Sequence, residues 1–177
     1  MRIASIMLCA TVAVSCGAME PASVQIMGGL SYLTHDDSRE IVDDGTDSIS
    51  NEYGYYACLG FSAPQKAIIG YPWLEFPATR HEGNESRIDS VGVLYTERAP
   101  LSELFYLGLG IGSFYNDYRI TTGGAVERDD KWTIGGKALV GIGSAGRGFF
   151  GEVSYQYSGK IGGTESNSVN GALGIRF

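Results

Sequence analysis

The chain has 177 residues, of which 19% are charged, and a formal net charge of −7 at pH 7. This acidic balance argues against a nucleic-acid partner, which would need a basic face. No apolar run of about eighteen residues occurs beyond the N-terminus, which excludes a helical membrane protein. Glycine occurs 26 times and tyrosine 11 times, so the composition disfavours helices and suits strands.

The first residues have the pattern of an export signal. Arg2 supplies a short charged region, residues 3–14 are apolar, and small residues follow at 15–18. We therefore expect residues 1–18 to be a cleaved signal peptide and residues 19–177 to form one barrel domain. A second interpretation is lipidation at Cys16, because residues 13–16 loosely resemble a bacterial lipobox without its usual leucine.

The sequence contains three cysteines, and two of them, Cys9 and Cys16, fall within the expected signal. Cys58 would then be alone in the mature chain, so an intramolecular disulfide is not expected there. We expect Cys58 to lie inside a packed face, and a functional thiol is the alternative.

Apolar residues recur with a period of two along the rest of the chain, which is the pattern of β-strands. In the clearest segment, Phe105, Leu107, Leu109 and Ile111 alternate with tyrosine and glycine. Eight segments follow this pattern, at about 23–33, 53–62, 66–78, 87–97, 105–112, 132–143, 148–157 and 169–177. Most are about ten residues long, the length that crosses a bilayer as a tilted strand.

The third segment is the least regular of the eight. Pro72 and Pro77 each remove a ladder hydrogen bond, so we expect a bulge or a kink there. Two facings stay open, and the lipid-facing set contains either Ile69, Tyr71 and Trp73 or Ile68, Leu74 and Phe76.

The connections between the segments alternate in length. Longer polar connections occupy residues 34–52, 80–86, 116–131 and 158–167, and the others are short. A transmembrane barrel has this pattern, with long loops outside and short turns in the periplasm. The last segment ends on Phe177, and in a closed barrel it must pair with the first so that no edge meets lipid. We therefore predict an all-β fold, an eight-stranded antiparallel up-and-down transmembrane β-barrel.

Aromatic residues cluster at the ends of the segments, as expected for belts at the two membrane interfaces. Near the short turns are Phe61, Tyr95, Phe105, Phe149 and Phe177. Near the long connections are Tyr32, Tyr53, Tyr55, Tyr115, Trp132, Tyr155 and Tyr157.

The opposite faces of the segments should line the lumen. We assign to this lining Gln25, Cys58, Asp89, Lys137, Glu152, Gln156, Asn170 and Arg176, with many glycines. Because buried charges must be paired, Lys137 and Arg176 should neutralise Glu152 and Asp89. The result would be a polar plug, although the inward glycines allow a little free volume, and a narrow porin-like channel is an alternative.

These features resemble the small outer-membrane β-barrel families of Gram-negative bacteria, of the OmpA-transmembrane or OmpX type. The ending Leu173-x-Ile175-x-Phe177 is similar to the signature that the barrel assembly machinery reads in such proteins. The resemblance implies a monomer in the bacterial outer membrane that contacts outer-membrane lipids, lipopolysaccharide and an extracellular ligand. We expect no OmpA-type periplasmic peptidoglycan-binding domain.

Two histidines, His35 and His81, fall in or beside the first two long connections. A lipid A palmitoyltransferase-like enzyme would combine a histidine with an Asp-Ser pair, which His35 and Asp89-Ser90 nominally provide. A surface histidine and a strand serine are the simpler interpretation. We therefore expect no enzyme and no catalytic residues, and lipid A acyl modification is the alternative.

The first long connection is strongly acidic. Its carboxylates are Asp36, Asp37, Glu40, Asp43, Asp44, Asp47 and Glu52. Such oxygens could bind Ca²⁺ or Mg²⁺, but their spacing matches no ordered calcium loop. We expect a solvated loop with no metal or cofactor. The predicted function is a structural or surface-interaction role, in envelope integrity, adhesion or loop-mediated binding.

Overall fold

The computed structural model describes residues 23–35, 38–39, 53–83, 86–122, 125–143, 148–161 and 164–177. Within these ranges eight antiparallel strands form one closed barrel. They are β1 (Val24–Leu33), β2 (Tyr53–Ser62), β3 (Tyr71–Glu82), β4 (Ser86–Pro100), β5 (Phe105–Thr122), β6 (Ala125–Gly143), β7 (Gly148–Ile161) and β8 (Thr164–Arg176). The described ranges include no helix long and apolar enough to span a bilayer. The expected signal peptide, Cys16 and nearly all of the acidic connection lie outside these ranges.

Closure depends on the pairing of the last strand with the first. Ile175 lies opposite Ile26 and Gly171 lies opposite Leu30. Beyond β8, the backbone N–H of Phe177 donates to the carbonyl of Val24 at 2.9 Å. Every described strand thus has a hydrogen-bonded neighbour on each side, which confirms the predicted closure.

The two faces of the barrel differ sharply in polarity. On the outer face, Ile26, Leu109 and Leu173 are 54%, 62% and 76% exposed. Their inward neighbours are mostly polar or glycine, and those polar side chains are buried. A barrel in water would bury its apolar face instead, so the outer face is built for hydrocarbon.

Aromatic side chains form the two predicted belts on the outer face. Towards one rim, Tyr32 packs on Tyr53 with ring centroids 5.1 Å apart, and Tyr115 packs on Trp132 at 5.5 Å. Towards the other rim, Phe61 meets the edge of Phe76 at 6.2 Å. The two belts mark the membrane interfaces, and the short turns then lie on the periplasmic side.

The facing of β3 is settled by burial. Leu74 and Phe76 point outward, whereas Trp73 is buried in the lumen. The ladder to β4 is interrupted at Phe76 and Pro77, as the missing proline N–H requires. The register is the same on both sides of this gap, so the expected bulge is absent from this part of the ladder.

Three of the predicted long connections are wrong, because most of their residues belong to strands. β5 continues to Thr122 and β6 begins at Ala125, so nearly all of the polar residues 116–131 belong to the strands of an extended hairpin. β7 likewise continues to Ile161, and β3 continues to Glu82. The prediction used apolar alternation to place strand ends. Above the bilayer the outward face of a strand meets water, so its outward positions are polar and the apolar alternation ends there. Inward residues at the same height, such as Ile88 and Tyr118, stay buried.

Large side chains fill the lumen by lying over glycines on neighbouring strands. Phe114 is opposite Gly92, and a Cβ atom at Gly92 would lie 2.6 Å from the ring. Phe150 is opposite Gly174 and would meet a Cβ atom there at 2.5 Å. At these positions the inward glycines leave no free volume, contrary to expectation, because rings occupy the space.

Candidate functional site

A cluster of four charged side chains lies inside the barrel. It is formed by inward positions on four strands, namely Glu75, Arg98, Lys137 and Glu152. The Lys137 ammonium lies 2.6 Å from Oε1 of Glu152 and 3.0 Å from Oε2 of Glu75. The Arg98 guanidinium lies 2.8 Å from Oε2 of Glu152 and also pairs with Glu75. Two cations and two carboxylates thus balance each other across the lumen.

Polar and aromatic side chains surround this charge cluster. Arg98 donates to Oε1 of Gln25 at 2.7 Å, and Lys137 donates to the Tyr56 hydroxyl at 3.1 Å. Arg176 donates to the same oxygen of Gln25 at 3.3 Å and lies 4.2 Å from the centroid of the Phe150 ring. Because the cluster crosses the lumen, it confirms the predicted polar plug.

The predicted lining is correct for seven of its eight residues. Those that face inward and are buried are Gln25, Cys58, Lys137, Glu152, Gln156, Asn170 and Arg176. Asp89 is wrong, because it lies on the outer face and pairs with Arg80 at 2.8 Å. Its position alternates in step with the outward residues Val91 and Val93, so the period-two pattern itself required this facing. The expected neutralisation of Arg176 by Asp89 is therefore also wrong.

Sequence reasoning missed two members of the charge cluster. Glu75 was overlooked because the facing of its strand was open. The predicted fourth segment ends at residue 97 and leaves Arg98 in a short turn, but β4 continues to Pro100 and keeps Leu94, Thr96 and Arg98 on its inward face. Strict alternation from Leu94 would have identified Arg98 as a lumen cation.

The structure does not bring together the nominal acyl-transfer set. Ser90 points into the lumen and is buried, whereas Asp89 points outward. His35 is partly exposed and lies 3.9 Å from a carboxylate oxygen of Glu165. His81 was placed in a connection, but it belongs to β3 and is buried inside the barrel. No group of three or more potential metal ligands occurs among the described residues.

A charged outer surface lies beyond the aromatic belt on β3 to β6. Arg128 holds Asp117 through two hydrogen bonds of 3.0 Å, and the Tyr115 hydroxyl donates to Asp130 at 2.9 Å. Asp117 raises the pKa of Arg128 through these bonds. On the β7–β8 hairpin, the Lys160 ammonium 2.9 Å away lowers the pKa of Glu165. Both pairs stabilise strand segments outside the membrane.

The apolar outer face, the aromatic belts and the plugged lumen together define a small transmembrane β-barrel of the outer-membrane type. Solved structures with this fold are similar along most of the chain. Ail, the attachment invasion locus protein of Yersinia pestis, has 17% sequence identity and a TM-score of 0.61, covering 88% of this chain and 97% of Ail.

A structure of Ail in complex with the heparin analogue sucrose octasulfate gives a TM-score of 0.60 at 16% identity, with 88% and 97% coverage. Neisserial surface protein A gives 0.58 at 14% identity, covering 89% of this chain and 98% of that protein. No protein-family model and no curated protein matches the sequence. The similarity confirms the predicted fold, and the predicted outer-membrane location agrees with it.

Proposed function

We propose that this chain is a non-enzymatic, monomeric outer-membrane barrel that binds extracellular surfaces through its β5–β6 hairpin. The observation that carries this proposal is the length of the two strands. β5 has 18 residues and β6 has 19, the longest among the described strands. Both continue past the belt residues Tyr115 and Trp132 and so extend into the extracellular medium.

The extended hairpin is a preformed binding element. Its strands pair continuously from Phe105 and Ile142 to Thr122 and Ala125. Ion pairs such as that of Arg128 and Asp117 hold the outer part together. A rigid element loses little conformational entropy when it binds a partner, which favours affinity.

The similar proteins support a surface role. Ail is described as an attachment invasion locus protein, and one of its structures contains a heparin analogue. By analogy we propose an adhesive role for the present chain. Sulfated polysaccharide is the first ligand class to test. Assembly through the C-terminal strand and contact with outer-membrane lipids belong to the same proposal.

The experiment is an adhesion assay with a non-adherent Gram-negative host that expresses the chain. Cells are applied to heparin-coated and to neutral dextran-coated surfaces. The variant replaces residues 119–128 with Asn-Gly, a pair that forms a two-residue hairpin turn. We expect adhesion to heparin to exceed the empty-vector level at least about fivefold and the shortened variant to lose this gain. Equal adhesion of full-length and empty-vector cells on both surfaces would refute the adhesive role.

The absence of enzymatic activity needs its own test, because an acyl-transfer role was the main alternative. His35→Ala and Ser90→Ala variants are produced in cells whose lipid A is then analysed by mass spectrometry. We expect the acyl pattern to be the same with the wild-type chain, with either variant and with no chain. A new acyl form that appears with the wild-type chain and is lost in both variants would establish an enzyme.

A further inference from the structure

We propose that the outer face of β4 to β6 binds a phosphate group of an outer-leaflet glycolipid. The inference begins with three arginines that lie side by side across these strands. In the strand register Arg87 is opposite Arg119, and Arg119 is opposite Arg128. We call Arg87, Arg119 and Arg128 the arginine row.

Among the described residues, the central member of the arginine row has no carboxylate partner. Arg87 lies 3.0 Å from Asp89 and 3.8 Å from Asp117, and Arg128 holds Asp117 at 3.0 Å. Among the residues that the structure describes, Arg119 has no hydrogen bond or ion pair, and its buried Nε is unsatisfied. Asp89 and Asp117 therefore serve the two outer arginines, and Asp130 also acts on Arg128, whereas no described carboxylate lies within ion-pair distance of Arg119.

Three adjacent guanidinium groups lower the stability of the folded barrel unless an anion binds among them. Like charges that face each other across a β-ladder destabilise the sheet, and Arg119 has a like charge on each side. An anion at Arg119 would compensate the charge of the middle guanidinium and reduce its repulsion from Arg87 and Arg128. Phosphate suits this site, because its oxygens match the planar fork of guanidinium donors.

The height of the row indicates where the anion comes from. Arg119 lies four residues beyond the belt residue Tyr115 on β5, and Arg128 lies four before Trp132 on β6. At about 3.3 Å per residue along a strand tilted by about 40°, the row is about 10 Å above the belt. This places the row next to the headgroups of the outer leaflet, within reach of flexible arginine side chains.

The surface below the row fits the rest of a lipid. Val91, Val93 and Ile134 are 52%, 37% and 74% exposed and continue the same outer face into the hydrocarbon region. A glycolipid could thus place acyl chains against these residues and a phosphate against the row. A soluble sulfated polysaccharide would contact only the arginine row and not the apolar residues below it. This inference rests on the proposed outer-membrane location and not on the proposed adhesion.

The test measures binding of diphosphoryl lipid A to the purified, folded full-length barrel in neutral detergent micelles by native mass spectrometry. We expect Arg119→Gln to weaken binding at least about tenfold, because charge-assisted hydrogen bonds are lost. Arg119→Lys keeps the charge but not the planar guanidinium fork, so its affinity for lipid A should lie between that of the wild type and that of Arg119→Gln. Lys66→Gln removes the same charge near the periplasmic end and is the matched control.

A second titration uses lipid A from which both phosphates have been removed. Binding to the wild-type barrel should weaken at least about tenfold if phosphate is the recognised group. Equal affinity for the two lipids, or an affinity of Arg119→Gln within about twofold of wild type, would overturn the proposal. Displacement of lipid A by a heparin fragment at equal concentration would also overturn it, because the occupant would then be the polysaccharide. Migration of heated and unheated samples verifies that each variant is folded.

Discussion

At the scale of single residues, the lumen is governed by charge balance. Glu75, Arg98, Lys137 and Glu152 are almost fully buried, and removing one leaves a partner charge uncompensated. Breaking a buried ion pair on one side typically costs more than the pair contributes, because the remaining charge stays out of water. The four residues should therefore behave as one unit under substitution.

Glu152→Gln tests this dependence. We expect the free energy of unfolding to fall by roughly 3–5 kcal/mol, because Lys137 and Arg98 would share Glu75 alone. The measurement is urea-induced unfolding in detergent micelles, followed by tryptophan fluorescence. The control combines Glu152→Gln with Lys137→Met, which restores balance between Arg98 and Glu75. If the double variant loses as much stability as the single one, charge balance does not explain the effect.

Part of this cluster could be predicted from the sequence, and the remainder depended on strand geometry. The ion pair of Lys137 with Glu152 is confirmed, although Lys137 lies opposite Gln156 and Glu152 lies opposite Gly141. The two long side chains bridge this offset in register. The partners of Lys137 on β3 could not be inferred, since two prolines obscured the facing of that strand and contacts across a lumen leave no local pattern.

At the scale of strands, β8 closes the barrel and carries the terminal aromatic residue. Phe177 is half exposed on the outer face, while its backbone bonds to Val24. A side-chain truncation therefore removes the proposed recognition feature and leaves the backbone hydrogen bond in place. This separates assembly in the cell from stability of the folded barrel.

Phe177→Ala should lower the amount of folded protein in the outer membrane severalfold. The physical reason is that the assembly machinery is proposed to read the aromatic end of the strand, which alanine lacks. Quantitative immunoblotting of outer-membrane fractions gives the measurement. The same variant refolded in detergent should unfold within about 1 kcal/mol of the wild type, because one exposed ring contributes little to packing. Normal outer-membrane levels would argue against this role of the ring.

The β5–β6 hairpin should be dispensable for the barrel fold. Replacing residues 119–128 with Asn-Gly removes paired residues beyond the belt and leaves the membrane-spanning pairs from Phe105 to Tyr115 intact. We expect the variant to keep its heat-modifiable gel migration and its unfolding midpoint. A variant that migrates identically before and after heating would indicate that the outer hairpin contributes to the membrane fold.

The alternation located all eight strands inside the membrane but misplaced several outer ends and the periplasmic ends of β3 and β4. In the bilayer, lipid demands an apolar residue at every second position, as at Leu107, Leu109 and Ile111. Beyond Tyr115 the outward positions no longer contact lipid and need not be apolar. Polar residues such as Asp117, Arg119 and Arg128 are then compatible with a strand or with a loop. Only the register with a neighbouring strand distinguishes the two, and a sequence pattern does not contain it.

At the scale of the whole molecule, the apolar exterior suits a membrane anchor, and the charge cluster across the lumen predicts that the barrel does not conduct. In planar bilayers we expect no steps comparable to those of an open porin, because the charge cluster crosses the lumen. A recording with an open porin under the same conditions is the positive control. Frequent, stable porin-sized openings of the folded wild-type chain would support the channel alternative.

The rings that lie over glycines in the lumen have a consequence for how the sequence can diverge. Phe114 occupies the space that a side chain at Gly92 would need, so neither position can change freely alone. We expect a substitution that enlarges position 92 to be tolerated only when position 114 shrinks at the same time. In the lumen, a larger side chain on one strand should therefore be accompanied by a smaller one at the paired position of the neighbouring strand. Homologous barrels would then retain total lumen volume while individual residues at these positions differ widely.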